Sequence, residues 1–200
     1  MHNIKNFKDI NLETTKKEFK ESKLIKFTNN IDDLKSTNFY IITVPTPINK
    51  FNKPDLKPLF KSSETIGKIL KKNDIVVYES TVYTGCIEED CVPVLKKYSN
   101  LRFNKDFFCG YSPERINLGD KKHTISKIKK ITSESNSKIA NLVNNLYKKI
   151  ITTGTHKASS IKIAEESKVI ENTQRDLNIA LINELSVINE LSVIYVSKIY

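Results

Sequence analysis

Glu114 sits in the run Tyr111-Ser112-Pro113-Glu114-Arg115, directly after an apolar stretch. A carboxylate held in an irregular loop of this kind can accept a proton from a water or an alcohol. Further along, Lys168, Asn172 and Arg175 recur at i, i+4 and i+7, with Gln174 and Asp176 beside them. That spacing puts all three on one helical face. An ammonium and a carboxamide one turn apart can jointly hold an oxyanion, provided the face points into a cleft that excludes water. The same spacing also suits a solvated polar stripe with Glu165 and Glu171 as salt-bridge partners, and surface pairs of that kind contribute little stability. Periodicity does not choose between the two.

Hydroxyls form a second group. Thr46 lies between Pro45 and Pro47, and the two prolines keep the backbone extended there. Thr81 belongs to the hydroxyl-rich run from Glu79 to Gly85, and Thr152-Thr153-Gly154-Thr155-His156 is a third polar run. Cys86, Cys91 and Cys109 are odd in number and contain no CxxC pair, which indicates neither a disulfide framework nor a zinc site. They are expected to be buried free thiols.

The elements that position these residues follow from the apolar pattern. Short β-branched or aromatic runs alternate with helical patterns, the mark of βαβ units and a mainly parallel sheet. Strands are expected at Phe39–Val44, Ile75–Tyr78, Asp106–Gly110, Lys130–Thr132 and Lys149–Thr152. Helices are expected at Leu12–Ser22, Lys57–Lys72, Cys86–Tyr98 and Glu134–Tyr147. Ligands of open parallel sheets lie beyond the carboxyl ends of the strands. Thr46, Thr81, Glu114 and the run from Thr152 to His156 each follow one of these strands. Any one of them is explained by turn chemistry, whereas four in register favour a polar ligand carrying phosphates and ribose.

From Lys157 onward one helical pattern runs without proline or glycine. Forty helical residues would extend about 60 Å, longer than a small domain is wide, so the helix is expected to reach a second domain or a partner subunit. Asn183-Glu184-Leu185-Ser186-Val187-Ile188 repeats at once as Asn189-Glu190-Leu191-Ser192-Val193-Ile194. Six residues rotate the second copy by about 120°, so its apolar stripe does not continue the first.

Composition narrows the class. The chain is 38% hydrophobic and has a formal net charge of +10, with its lysines spread along its length. Pairs such as Lys16-Lys17, Lys71-Lys72, Lys121-Lys122 and Lys129-Lys130 fit solvated faces, and no aromatic stripe is interleaved for base stacking, so nucleic acid is not an expected partner. No apolar run approaches the roughly 20 residues that span a bilayer, and the first residues lack a secretory signal. A membrane is therefore not expected either, and the expected location is the cytoplasm.

Four runs carry a resemblance: Phe39-Tyr40-Ile41-Ile42-Thr43-Val44-Pro45-Thr46-Pro47-Ile48, Glu79-Ser80-Thr81-Val82-Tyr83, Gly110-Tyr111-Ser112-Pro113-Glu114-Arg115-Ile116-Asn117, and Lys168-Val169-Ile170-Glu171-Asn172-Thr173-Gln174-Arg175-Asp176. In this order they resemble the UDP-glucose/GDP-mannose dehydrogenase family, most closely its bacterial branch that oxidises UDP-N-acetylhexosamines for surface polysaccharides. The resemblance implies an α/β fold, here a partial Rossmann-like parallel sheet followed by one long C-terminal helix. It implies that residues 1–155 form an incomplete NAD-binding domain and residues 156–200 an interdomain or dimerisation helix.

The resemblance also implies the chemistry. A UDP-sugar is oxidised at its primary alcohol to a carboxylate by two NAD: one hydride leaves, a cysteine captures the aldehyde, a second hydride leaves to give a thioester, and water hydrolyses it. By match to the family's motifs, Thr46 and Thr81 contact NAD, Glu114 assists water activation, and Lys168 and Asn172 hold the developing oxyanion. Two departures limit this. The glycines are Gly67, Gly85, Gly110, Gly119 and Gly154, so the phosphate-cradling GxGxxG turn is absent. None of the three cysteines matches the family's nucleophile, which lies in a later region. The chain is therefore expected to be a fragment of a nucleotide-sugar 6-dehydrogenase, inactive by itself, that forms a homodimer or pairs with an intact homologue through the long helix. The alternative is a non-catalytic remnant that binds nucleotide or performs only that pairing.

Overall fold

The computed structural model describes residues 15–115 and 127–188. The chain separates into two compact units, residues 1–36 and 37–200. In the first unit, helix α1 (Lys16–Glu21) opens on a reciprocal cap in which Thr15 Oγ1 accepts the Glu18 N–H and Glu18 accepts the Thr15 N–H. A 3-10 turn follows at Ile31–Leu34, where the Asn30 side chain accepts the Asp32 N–H. Neither element buries a residue, so local capping rather than a core defines them.

The second unit is a five-stranded sheet in the order β1 (Phe39–Ile42), β2 (Ile75–Tyr78), β3 (Phe108–Tyr111), β4 (Lys130–Glu134) and β5 (Thr155–Lys157). β1, β2 and β3 run parallel, β4 is antiparallel to β3, and β5 is parallel to β4. The apolar run of β2 is buried along its whole length, as a central parallel strand requires. Alternation sends Ile75 and Val77 to one face, where they pack against Val143 and Tyr147 of helix α4 (Ser137–Lys148). Tyr78 points to the other face and hydrogen-bonds Ser63 of helix α2 (Lys57–Gly67). Helix α3 (Val92–Ser99) lies against α2 at Gly67, where an added Cβ would come within 2.9 Å of Tyr98 Cβ. That glycine sets how closely the two helices approach.

The mostly parallel sheet flanked by helices is the architecture expected from the sequence, and the three cysteines are buried and free. Three expectations on the elements are corrected. The expected helix at 86–98 begins with a π turn (Ile87–Cys91) before α3. Glu134 belongs to β4 and not to the helix after it. The run Lys149–Thr152 is not a strand: Ile150 and Ile151 both donate to the Tyr147 carbonyl at 2.9 Å, and the last strand forms at Thr155–Lys157 after Gly154 turns the chain at φ +84°. The physical reason lies in the spacing. Ala140, Val143, Tyr147 and Ile151 are all buried, so Ile151 completes the apolar stripe of α4 instead of opening a strand.

Helix α5 (Ile161–Ile188) has 28 residues, or about 42 Å of length. Its first turns are docked, with Ile161, Ala164, Glu165 and Lys168 buried. Farther on, Ile170, Leu177, Leu181 and Leu185 are exposed. The first copy of the six-residue repeat lies in α5, and the second copy falls outside the described residues. No helix among the described residues is long and apolar enough to cross a membrane.

Candidate functional site

Reversal of β4 shapes the edge where ligands of such sheets bind. Tyr111 pairs with Ser133, so Lys130, three residues earlier, lies beyond the carboxyl end of β3, beside the loop that contains Glu114. The start of β5 pairs with Lys130. The run from Thr152 to Gly154 therefore precedes a strand, contrary to expectation, yet belongs to the same edge because the strand it precedes is reversed.

The loops after β1 and β2 are tied together, since buried Ser80 donates its hydroxyl proton to the Val44 carbonyl. Thr46 lies in the first of these loops, and its Oγ1 is buried with no hydrogen-bond partner among the described residues. Buried hydroxyls are nearly always satisfied, so Thr46 presents a donor and acceptor suited to a ligand. Thr81 follows Ser80 and is exposed. The loops that hold the two threonines are thus tied together.

The loop after β3 is fixed to β4, because Ser112 Oγ donates to the Ile131 carbonyl at 2.6 Å. Half-buried Glu114 accepts its neighbour's N–H, from Arg115, at 2.6 Å through Oε1, and its Oε2 lies 3.5 Å from Lys130 Nζ. Lys130 is 3% exposed. Its ammonium lies 3.4 Å from Glu79 Oε2, and the other Glu79 oxygen accepts the Tyr147 hydroxyl. Burial, and then the Glu79 charge, push the Tyr147 phenol above its ordinary range, so it stays a donor. The reading of Lys129-Lys130 as a solvated pair is corrected for its second member.

Lys168 comes to the same region on α5. It is 7% exposed and lies 3.6 Å from Glu171 Oε2, while Glu171 Oε1 meets Arg115 at 3.1 Å and Arg175 at 3.6 Å. Burial lowers the Lys168 ammonium below its ordinary value, with Arg175 and Arg115 adding to the effect and Glu171 opposing it. Burial by itself would raise Glu171, but Lys168, Arg115 and Arg175 hold it below the usual carboxylate value. Arg115 thus joins the Glu114 loop to the Lys168 face, and Asn172 lies one turn beyond Lys168, half-buried.

Glu171 is the salt-bridge partner considered from the sequence, but Glu165 is not. Glu165 is fully buried and accepts the Gly85 N–H at 2.6 Å and the Ile87 N–H at 2.9 Å. A helix N-terminus is an anion site, and here a carboxylate of the chain itself fills it. Sequence reasoning missed Lys130, Glu165 and Tyr147 as members of the edge, and read Glu79 only as part of a loop. The available signal was Tyr147 on the stripe of α4 (140, 143, 147). Nothing local marks a lysine or glutamate whose partners lie dozens of residues away.

All three thiols are buried, and two of them are held protonated. Hydrogen bonding to Cys91, then burial, push the Cys86 thiol far up, and burial does the same to Cys109. A thiol held protonated attacks poorly.

A crevice where three parallel strands stop and a reversed pair begins, lined by hydroxyls, carboxylates and a buried lysine, places the chain among Rossmann-type nucleotide-binding domains. Three comparisons sharpen the class. The NAD-binding domain of the UDP-glucose/GDP-mannose dehydrogenase family matches residues 3–151. The UDP-N-acetyl-D-glucosamine 6-dehydrogenase of Salmonella typhi is 62% identical over 183 residues, covering 92% of this chain and 43% of the relative. That of Pseudomonas aeruginosa is 66% identical over 178 residues, covering 89% and 42%. The structure of the UDP-D-ManNAc dehydrogenase from Pyrococcus horikoshii superposes with a TM-score of 0.79 at 31% identity, over 86% of this chain and 41% of that one. The chain belongs to the UDP-glucose/GDP-mannose dehydrogenase family and spans about two fifths of the length of these relatives. The residues present fit NAD at the strand ends, where the Thr46 hydroxyl has no partner among the described residues, whereas none of the five glycines belongs to a GxGxxG run that would cradle the pyrophosphate.

Proposed function

We propose that the chain supplies the NAD-binding part and half of the acid–base machinery of a UDP-N-acetylhexosamine 6-dehydrogenase. The observation that carries this is Lys168: a buried ammonium on α5, linked through Glu171 and Arg115 to the Glu114 loop. Thr46 and Thr81 hold NAD, which when bound accepts hydride. Glu114 takes a proton from the attacking water. Lys168 and Asn172 hold negative charge on the substrate oxygen, and the low-water setting of Lys168 strengthens that interaction. The nucleotide-sugar half of the site and the nucleophilic thiol are assigned to none of this chain's residues. In this reading residues 1–155 are the NAD-binding portion, residues 156–200 the connecting helix, and the setting is the cytoplasm.

The test is a chimera of the Salmonella typhi relative in which this chain's residues replace the matched segment. NADH formed from UDP-N-acetyl-D-glucosamine, reduced roughly 100-fold or more by Lys168→Met, supports the reading. A folded chimera that binds both ligands but forms no NADH overturns it. The unfused chain is expected to form none.

A second reading rests on a separate observation, the exposed Ile170, Leu177, Leu181 and Leu185 of α5. They suit pairing with another copy or with an intact homologue. A monomer on a sizing column at high protein concentration excludes self-pairing.

A further inference from the structure

We infer that Lys130 is a positioning residue: held by Glu79 and Tyr147, its buried ammonium fixes the carboxylate of Glu114 at the carboxyl edge of the sheet. The inference rests on the proposed role of Glu114, and it adds three residues on three separate elements to that role.

The argument begins with what burial of a lysine demands. Lys130 opens β4 with its side chain 4% exposed, and an ammonium taken out of water needs compensating charge. Two carboxylates meet it, Glu79 at 3.4 Å and Glu114 at 3.5 Å. Both distances exceed those of well-formed N–H···O bonds, so the pairing is Coulombic and the ammonium bridges two carboxylates instead of being captured by one. Glu79 is prevented from turning away because the Tyr147 hydroxyl donates to its other oxygen. The Tyr147 ring also lies beside the ammonium, 5.9 Å from its centroid.

Glu114 is then fixed at both oxygens, Oε1 by the Arg115 N–H at 2.6 Å and Oε2 by Lys130. The backbone is secured on both sides of Lys130. Ser112 Oγ bonds the Ile131 carbonyl at 2.6 Å, and Arg115 Nη1 approaches the Lys129 carbonyl at 3.4 Å. Strand β4 and the loop after β3 therefore present the lysine to the glutamate in one arrangement. Preorganisation of this kind is what a proton-accepting carboxylate needs if its geometry is to be set before substrate arrives. A lysine that served the fold alone would not need Glu114, the more solvated of its two partners, with a side chain 38% exposed against 12% for Glu79.

The experiment reads the Glu114 carboxyl carbon in the full chain by NMR after 13C-glutamate labelling, at neutral pH, with the line assigned by its loss in Glu114→Gln. Lys130→Met is expected to move and broaden that line by more than its width, and Lys130→Arg to restore a single sharp line. Glu79→Gln, which alters no atom bonded to Glu114, is expected to move the line while Lys130 is present. In the Lys130→Met background it should produce no further movement. A Glu114 line indifferent to Lys130→Met and to Glu79→Gln overturns the inference, and if Lys130→Met unfolds the chain the Glu79→Gln spectrum decides alone. No NAD and no turnover enter the measurement, so its failure is distinct from failure of the dehydrogenase reading.

Discussion

Among the described residues two clusters of cations and carboxylates meet at the carboxyl edge of the sheet, and their ion pairs sum to opposite signs. One lysine faces two carboxylates in Lys130 with Glu79 and Glu114, which with all groups ionised leaves one negative charge. One carboxylate faces three cations in Glu171 with Lys168, Arg115 and Arg175, which leaves two positive charges. Their exposure is similar: the two ammonium groups are sheltered, the Lys130 side chain 4% exposed and Lys168 9%, and each cluster reaches water at its rim, through Glu114 at 38% and Arg175 at 42%. The same pairing chemistry thus leaves opposite net charge on two neighbouring clusters, the division that suits the roles proposed for Glu114 and Lys168.

The comparison is broken most forcefully at Lys130. Lys130→Ala removes the ammonium that Glu79 and Glu114 share. The loss is expected to be about 3 kcal/mol of unfolding free energy, toward the lower end for a broken buried pair because Glu114 reaches water. Urea unfolding measures it, and a loss under about 1 kcal/mol would mean that the lysine is not the counter-charge.

The same strand holds its own control. Glu134, at the far end of β4, is buried with neither oxygen hydrogen-bonded among the described residues, and burial raises its carboxyl to about 7, with Lys157 opposing. A folded-state value above the ordinary value of 4.5 means that the proton is bound more tightly in the folded chain. The associated stability is complete below the ordinary value and is lost as pH rises through about 7. Glu134→Gln should accordingly raise stability above neutrality by about 2 kcal/mol and flatten that part of the pH profile. Unchanged melting temperatures across the same range would show that Glu134 finds a partner.

The smallest effect is expected at Glu171, whose carboxylate already reaches water. Glu171→Gln should cost under about 1 kcal/mol, and the cost of breaking this cluster should shrink further in high salt. It should nonetheless lower the Lys168 ammonium further, because Arg115 and Arg175 then act on it unopposed. Faster acylation of Lys168 near neutral pH reports this, and an unchanged rate would mean that Glu171 does not control it.

Periodic apolar residues carried the fold in advance. β2 and the cores of β1 and α2 follow directly from runs such as Ile75-Val76-Val77-Tyr78 and from the stripe that contains Leu59 and Ile66. Lys149–Thr152 misled because a β-branched run resembles a strand locally, while the buried residues at 140, 143 and 147 place Ile151 on the continuation of the helix's apolar stripe, just past its end. Of the candidate site, the placing of Thr46, Thr81 and Glu114 in loops after strands was readable because turn chemistry is a local signal, while the roles proposed for them came from the family resemblance alone. Lys130 and Glu165 were not readable. Their burial depends on partners from other strands and loops, 51 residues away at Glu79 and 78 at Ile87, and only the assembled sheet brings those groups together.

The carboxylate of Glu165 joins residues 78 and 80 positions apart through two backbone amides. Contacts of such long sequence separation must offset loop-closure entropy as they form, so this link is expected to form late in folding. The Gly85 and Ile87 amide protons consequently record one event, the docking of the first turns of α5 onto the sheet. Their exchange with deuterated solvent distinguishes a chain whose helix is seated from one in which strands and helices have formed but the helix still swings free.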